Sequence, residues 1–258
     1  MTSALPPEAV LLDFGGVLVD VVHRPGMLGE VAQDVYRLLE RAHAASIGIG
    51  RVERDVRAGW EAYEAWKAAE GRRARPREIA YREMWEDLVA ADWPARAREV
   101  VVEHAFELCL RIDTATKERP AKADALETLR GLAAQGIRAG LVSNALCGAG
   151  SRELVREHGF DPYLAAQIYS DEVGMRKPNP EIFALAARAL GVDLARCWYV
   201  GDQIDRDILG GRRAGIGRVF LLPSRDTGAG NDAVAHPDGV IQRPSDLLTL
   251  LPERAAAR

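Results

Sequence analysis

The stretch Ala9-Val10-Leu11-Leu12-Asp13-Phe14-Gly15-Gly16-Val17-Leu18 decides the fold. Four apolar residues in a row read as a strand buried on both faces, the habit of a parallel sheet. A carboxylate at the end of that strand, beside glycines that let a ligand approach the backbone, places Asp13 where open α/β sheets do chemistry. Three later stretches bear on the same edge. Gly140-Leu141-Val142 leads into Ser143-Asn144, Trp198-Tyr199-Val200-Gly201 leads into Asp202, and Lys177 sits in Gly174-Met175-Arg176-Lys177-Pro178-Asn179-Pro180. If the strands are parallel neighbours, a nucleophilic carboxylate, hydroxyl and amide donors, a cation and an acidic metal ligand meet on one edge.

After Pro120 helix and strand alternate. Helices are expected over Ala123–Gln135 and Ser151–His158, ended by Gly136 and Gly159, and strands over Arg138–Val142 and Ala166–Tyr169. Asn179 reads as an N-cap with Pro180 at the first helical position, the helix running to Leu190 before Gly191. Cys197–Val200, Ile204–Ala214, Gly217–Leu222 and Val240-Ile241 complete an α/β, doubly wound parallel-sheet (Rossmann-like) pattern. Pro223 to Asp238 reads as a surface loop and Ala255–Arg258 as a frayed tail.

Between Pro25 and Arg119 the period is helical instead, as in Val31, Val35, Leu38, Leu39 and Ala42, and later Met84, Leu88 and Val89. Pro76 is expected to start a helix, and Asp92-Trp93-Pro94 to break one from the next. The expected organisation is a Rossmann-like core over 1–22 and 119–258 with an all-helical domain inserted over 23–118. Trp60, Tyr63, Trp66, Tyr81 and Trp85 recur at helical spacing and belong to the core of that insertion. Arg72, Arg73, Arg75 and Arg77 read as a solvated run, and Arg176 as solvated or paired on the surface.

Composition fits an enzyme of 258 residues with apolar content enough for a sizeable core. A net charge of -4 argues against a nucleic-acid-binding surface. The cysteines, Cys109, Cys147 and Cys197, are odd in number and lack metal spacing, as do the histidines, which suits a reducing cytoplasm. Cys147 follows Ser143 closely, but no histidine nearby would activate it. Met1–Glu8 has no basic start or apolar stretch, and no run reaches membrane-spanning length, so a cytoplasmic, membrane-free protein is expected.

The ordered set of Asp13, Ser143-Asn144, Lys177 and Gly201-Asp202 resembles the haloacid dehalogenase-like hydrolase superfamily, over residues 8 to 22 and 119 to 252. The resemblance implies a Mg²⁺-dependent phosphatase that acts on a small-molecule phosphate ester through an aspartyl-phosphate on Asp13. It makes the helical insertion a cap that closes over substrate and excludes water. Ser143, Asn144 and the backbone N–H groups of Phe14 and Gly15 would then receive phosphate oxygens, and Lys177 would neutralise charge on Asp13 and the phosphoryl group. Asp13, the Gly15 carbonyl and Asp202 would hold the metal. Asp205 and Asp207 compete to support it, and family versions with a second acid five residues after the first select Asp207.

Gly15 departs from the family pattern. Most family phosphatases carry there an aspartate that protonates the leaving oxygen, a contribution of about 10² to 10⁴ in rate. Asp20, seven residues after Asp13, is the substitute acid to consider, against a plain role as a solvated turn residue. A less basic leaving group, such as that of a sugar 1-phosphate or acyl phosphate, would reduce the need for one. Two other readings stand beside the phosphatase. A 2-haloacid dehalogenase would need no such acid, though no arginine near Asp13 suggests a halide cradle; a non-catalytic phospho-ligand module would not need the nucleophile.

Overall fold

The computed structural model describes residues 6–228 and 235–252. The readings of the first five residues, of the tail Ala255–Arg258 and of the middle of the loop from Pro223 to Asp238 lie outside the described residues. In chain order, β1 (Ala9–Leu12) and β2 (Val22–His23) precede the helices α1 (Leu28–Arg41), α2 (Ile49–Glu70), α3 (Tyr81–Glu83), α4 (Ala95–Glu103) and α5 (Ala105–Thr116). Then come β3 (Lys117–Glu118), α6 (Ala125–Ala134), β4 (Arg138–Ser143), α7 (Gly148–Glu157), β5 (Leu164–Tyr169), α8 (Ser170–Val173) and α9 (Pro180–Leu190). β6 (Cys197–Gly201), α10 (Leu209–Ala214), β7 (Arg218–Leu221), β8 (Gly239–Val240) and α11 (Asp246–Thr249) complete the chain.

Six strands form one parallel sheet in the order β5-β4-β1-β6-β7-β8. β1 is central because it is the most apolar, and its four residues are buried. Successive crossovers build outward from β1 on the β4 side and then on the β6 side. The crevice at that reversal is where doubly wound sheets bind ligands. Leu12 is level with Leu141 of β4 and Val200 of β6, so Asp13, Ser143 and Asp202 leave the sheet at one edge.

Helices cover both faces. Leu129 of α6, Val155 of α7 and Leu247 of α11 share one apolar cluster with Val10 and Leu12, while Phe183 and Ala187 of α9 share the other with Ala9 and Leu11. α9 has the expected ends: Asn179 Oδ1 accepts from the Glu181 N–H at 3.1 Å, Pro180 opens the helix, and Gly191 closes it at φ 64°.

The segment between β2 and β3 is helical and has its own core. Val31, Val35 and Leu39 of α1 pack with Val52 and Val56 of α2 and with Trp85, Val101 and Ile112. β2 pairs antiparallel with β3, so the chain enters and leaves this segment through one two-stranded stem. Leu146 and Cys147, which lie after β4, pack into the same helical core and seat it on the sheet edge.

Pro76 does not start a helix. The chain stays extended to Ala80, whose ψ of 147° precedes α3, because residues 76–78 dock across the loop that carries Lys177. Asn179 Nδ2 donates to the Pro76 carbonyl at 3.2 Å, Arg77 forms a β-bridge with Met175, and the Glu78 N–H donates to the Gly174 carbonyl at 3.0 Å. Arg176 is likewise not a surface residue. Its guanidinium is buried against Glu78 at 3.3 Å and lies over the Trp66 ring, and the other Glu78 oxygen accepts from Ser170 Oγ at 2.6 Å. An extended strap thus needs a buried ion pair where a helix start and a solvated arginine were expected. Arg73, Arg75 and Arg77 are solvent-facing and paired, with Glu70, Glu181 and Glu83.

Candidate active site

The carboxyl edge gathers three buried carboxylates, Asp13, Asp202 and Asp207, with one oxygen of each within 4.8 Å of the others. Close approach of backbone makes this possible. Gly16 turns at φ 76°, and a Cβ there would lie 2.6 Å from Asp202 Cγ; a Cβ on Gly201 would lie 2.5 Å from Asp207 Cγ. Both positions are therefore closed to side chains. Asp207 enters from a π-helical turn over Ile204–Ile208, whose extra residue returns its carboxylate under β6. Asp205, on the same turn, is exposed and takes no part.

Lys177 is the centre of the cluster, only 1% exposed. Its ammonium has three donors, and all are engaged: Asp13 Oδ1 at 2.9 Å, Asp207 Oδ1 at 2.6 Å and the Tyr199 hydroxyl at 2.9 Å. Tyr199 in turn donates to Asp207 Oδ1 at 2.6 Å. Burial, then the neighbouring Asp207 and Asp13 charges, hold its phenol well above the ordinary value, so it stays protonated.

The two carboxylates on Lys177 diverge. Burial raises the Asp13 carboxyl to about 6, with Lys177 opposing it and Asp207 adding to it. Burial also acts upward on Asp207, but Lys177 and Arg206, with hydrogen bonds from Lys177 and Tyr199, outweigh it and leave that carboxyl at about 2. Asp13 Oδ1 is held by Lys177 and by the Phe14 N–H at 2.7 Å. The Phe14 donor is therefore spent on its neighbour.

Asn144 reaches the site indirectly. Its Oδ1 accepts from the Lys177 N–H at 2.8 Å and its Nδ2 donates to the Lys177 carbonyl at 3.1 Å, so the amide clamps the loop that presents the lysine. Ser143, Phe14, Gly15 and Asn144 all line a cavity of about 160 Å³ in front of Asp13 and Asp202. A Cβ on Gly15 would lie 3.1 Å from Val21 Cγ2. Asp20 points elsewhere: its carboxylate, 58% exposed, pairs with Lys122 at 2.6 Å.

Four residues of the site escaped the sequence reading. Arg206 stands 3.0 Å from Asp202 Oδ1, 3.4 Å from Asp207 Oδ2 and 3.8 Å from Asp13 Oδ2, which overturns the expectation that no arginine lies near Asp13. Burial works against its charge, but Asp207, Asp202 and Asp13 outweigh that and raise its pKa further. Ser224 donates to Asp202 Oδ2 at 2.6 Å and Thr227 to the Asp202 carbonyl at 2.6 Å, so the start of the predicted surface loop buttresses the site. Tyr199 is the fourth. Its position on β6 was plain, and its hydroxyl's destination was not.

The donor set suits a divalent cation. Three carboxylates face two cations, Lys177 and Arg206, and a hard ion of the Mg²⁺ type takes one or two carboxylates with water and phosphate oxygens. Among the described residues no histidine or cysteine joins the cluster.

Residues 7–215 match the family model for haloacid dehalogenase-like hydrolases. A glyceraldehyde 3-phosphate phosphatase of Methanopyrus kandleri is 37% identical over 134 residues, 51% of this chain and 57% of that protein. A phosphoserine phosphatase of Thermus thermophilus is 30% identical over 164 residues, 63% of this chain and 59% of that protein. The chain thus spans little more than half the length of these curated relatives. Among solved structures, a haloacid dehalogenase-type phosphatase of Thermococcus onnurineus aligns with a TM-score of 0.61 at 20% identity, covering 96% of this chain and all of that one. A 2-haloacid dehalogenase of Pseudomonas syringae aligns equally well, TM-score 0.61 at 20% identity, over 93% and 96%. Likeness at that identity speaks to the fold alone. No helix among the described residues is long and apolar enough to cross a membrane.

Proposed function

This chain belongs to the haloacid dehalogenase-like hydrolases, and from that premise we propose that it is a Mg²⁺-dependent phosphomonoesterase working through an aspartyl-phosphate on Asp13. The observation that carries the reading is the juxtaposition of Asp13, Asp202 and Asp207 within 4.8 Å around a saturated Lys177. Phosphatases for glyceraldehyde 3-phosphate and for phosphoserine among the matched relatives support it.

In this reading Asp13 Oδ1 is fixed by Lys177 and Phe14, and Oδ2 is the oxygen that attacks phosphorus. The ester bond breaks as the Asp13–phosphorus bond forms, and water later hydrolyses the acyl phosphate. Lys177 holds Asp13 ionised despite burial and keeps the orientation fixed at the moment of attack. Ser143 offers its hydroxyl to a phosphoryl oxygen from the end of β4, and Asn144 keeps Lys177 in place. Asp13, the Gly15 carbonyl, Asp202 and Asp207 are the groups that would hold or support Mg²⁺, and the ion would supply charge neutralisation between two anions. The helical segment, residues 23–118, serves as the cap, seated by its stem and by the strap at 76–78.

One observation speaks for a dehalogenase: Arg206 is near enough to Asp13 to cradle a halide. Its guanidinium is already bound by Asp202 and Asp207, however, and a three-carboxylate cluster has no use in halide displacement. Parallel assays of phosphate release, with and without Mg²⁺, and of chloride release from 2-chloroacids decide between them. Phosphate release that requires Mg²⁺ is expected, and chloride release in its place would sink the reading.

A further inference from the structure

The cavity lined by Asp13 and Asp202 is also lined by Glu64, Lys67, Asp113 and Lys117 of the helical segment, and two of these are under-used cations. Lys67 of α2 and Lys117 of β3 line it, their side chains 24% and 18% exposed. Lys67 spends one N–H on Glu64, at 2.8 Å. Lys117 reaches Asp113 Oδ1 at a long 3.4 Å, and both oxygens of Asp113 are already taken by Arg119 at 2.7 and 2.8 Å. An ammonium has three donors, so each lysine has two without a partner among the described residues. The Tyr63 ring lies 4.8 Å from the Lys67 ammonium and the Trp60 ring 5.8 Å from that of Lys117, which hold the stems in place.

The surrounding electrostatics agree. Burial, and next the charge of Lys117, lower the Lys67 pKa to about 8 although Glu64 opposes them. The cleft beyond Lys67 is lined by Arg72 and Arg213 as well as by Glu64 and Asp205, with Arg206 already paired, so cations outnumber acids there. The cavity, about 160 Å³, is smaller than the usual range for drug-sized ligands, about 300–1,000 Å³, and shares Lys67, Arg176 and Arg206 with the wider cleft beyond it.

We propose that Lys67 and Lys117 form an anion subsite that takes a second anionic group, carboxylate or phosphate, of a small phosphorylated substrate. The inference rests on the phosphatase reading and narrows it to short phosphorylated acids or bisphosphates over neutral alcohol and sugar monophosphates.

Calorimetric binding to the Asp13→Asn protein with Mg²⁺ tests it without turnover, using 2-phosphoglycolate, 1,3-propanediol bisphosphate and ethyl phosphate. At least one of the first two should bind about tenfold or more tightly than ethyl phosphate, and the larger gain identifies the second anion as carboxylate or phosphate. Lys67→Met and Lys117→Met, with Lys67→Gln as the milder change, should remove that gain and leave ethyl phosphate binding as it was. Equal binding of all three ligands, or a loss in the variants that falls equally on ethyl phosphate, would overturn the subsite. Since the readout is binding, a wild-type protein that releases no phosphate would refute the activity and leave this result to be judged separately.

Discussion

Replacing Gly16 by alanine tests whether the carboxylates are held in advance of ligand. Gly16 sits at φ 76°, where a side chain costs about 1–2 kcal/mol. The new Cβ would lie 2.6 Å from Asp202 Cγ and 2.8 Å from Asp202 Cβ. Because the base of the side chain is involved, rotating its tip gives no relief, and Asp202 must retreat by on the order of 1 Å to reach ordinary contact. Its carboxylate is held by Arg206 at 3.0 Å, Gln203 at 3.1 Å and Ser224 at 2.6 Å. Losing one such bond to a charged group costs about 1.5–3 kcal/mol, so the total loss is about 2.5–5 kcal/mol.

Gly159→Ala separates the two terms. Gly159 has φ 71° but nothing within 4 Å of an added Cβ, so it carries the backbone cost alone, about 1 kcal/mol or a little more. Urea denaturation of both variants should leave Gly16→Ala the less stable by about 2 kcal/mol, the share assigned to Asp202. Misplacing a reacting group by about 1 Å lowers phosphate release by about 10²-fold. Equal unfolding midpoints for the two variants, with wild-type phosphate release by Gly16→Ala, would show that Asp202 moves freely and that the cluster is not preorganised.

Asp13→Asn should fold as the wild type, judged by its unfolding midpoint, and release no phosphate; near wild-type turnover in a clean preparation excludes Asp13 as nucleophile. Asp207→Ala leaves Lys177 buried with one carboxylate fewer and should cost about 3 kcal/mol or more, whereas Asp205→Ala should stay within about 0.5 kcal/mol. Similar urea midpoints for those two variants would contradict the assignment. Arg206→Met removes a cation that shares Asp13 and Asp202 with any metal, so Mg²⁺ affinity by calorimetry should rise about tenfold; weaker binding would show that Arg206 builds the site and does not compete for it. The pKa of Lys67 falls from 10.5 to about 8 on folding, so the unfolded chain binds more protons between those values and this group adds stability as pH rises through that window. Lys67→Met should therefore exceed the wild type by about 1–3 kcal/mol at pH 7 and by less at pH 10; a constant difference would show that Lys67 is not penalised by burial.

What the sequence made legible is what local chemistry decides. The apolar runs of β1, β4 and β6 place Asp13, Ser143 and Asp202 on one edge, and Asn179-Pro180 with Gly191 bounds α9, because burial of a strand and capping of a helix act within a few residues. Arg176 and Arg206 were not legible for the opposite reason. A charged side chain defaults to solvent, and only the arrival of Glu78 from another segment, or of three carboxylates from two strand ends, reverses that default. Ser224 and Thr227 lie in a stretch whose composition signals a loop, and nothing local says that a loop returns to Asp202. Pro76 carries a helix-start signal that docking on Met175 and Asn179 overrides.

The site's chemistry turns on Gly15 and on what fills the space above it. Val21 Cγ2 lies 3.1 Å from where a Cβ would stand, and Asp20 pairs with Lys122. In the phosphatase reading, the loop after β1 therefore brings no unpaired carboxyl to the departing oxygen. To the same cavity the helical segment contributes Lys67 and Lys117 beside Glu64 and Asp113, and Asp113 is already bound by Arg119. In the subsite reading, those ammonium groups hold a second negative charge on the leaving group. A leaving group that is itself weakly basic then needs proton donation least. In that reading the absence of a carboxyl at position 15 and the ammonium groups across the cavity select the same substrates, short ones whose leaving group is anionic and weakly basic.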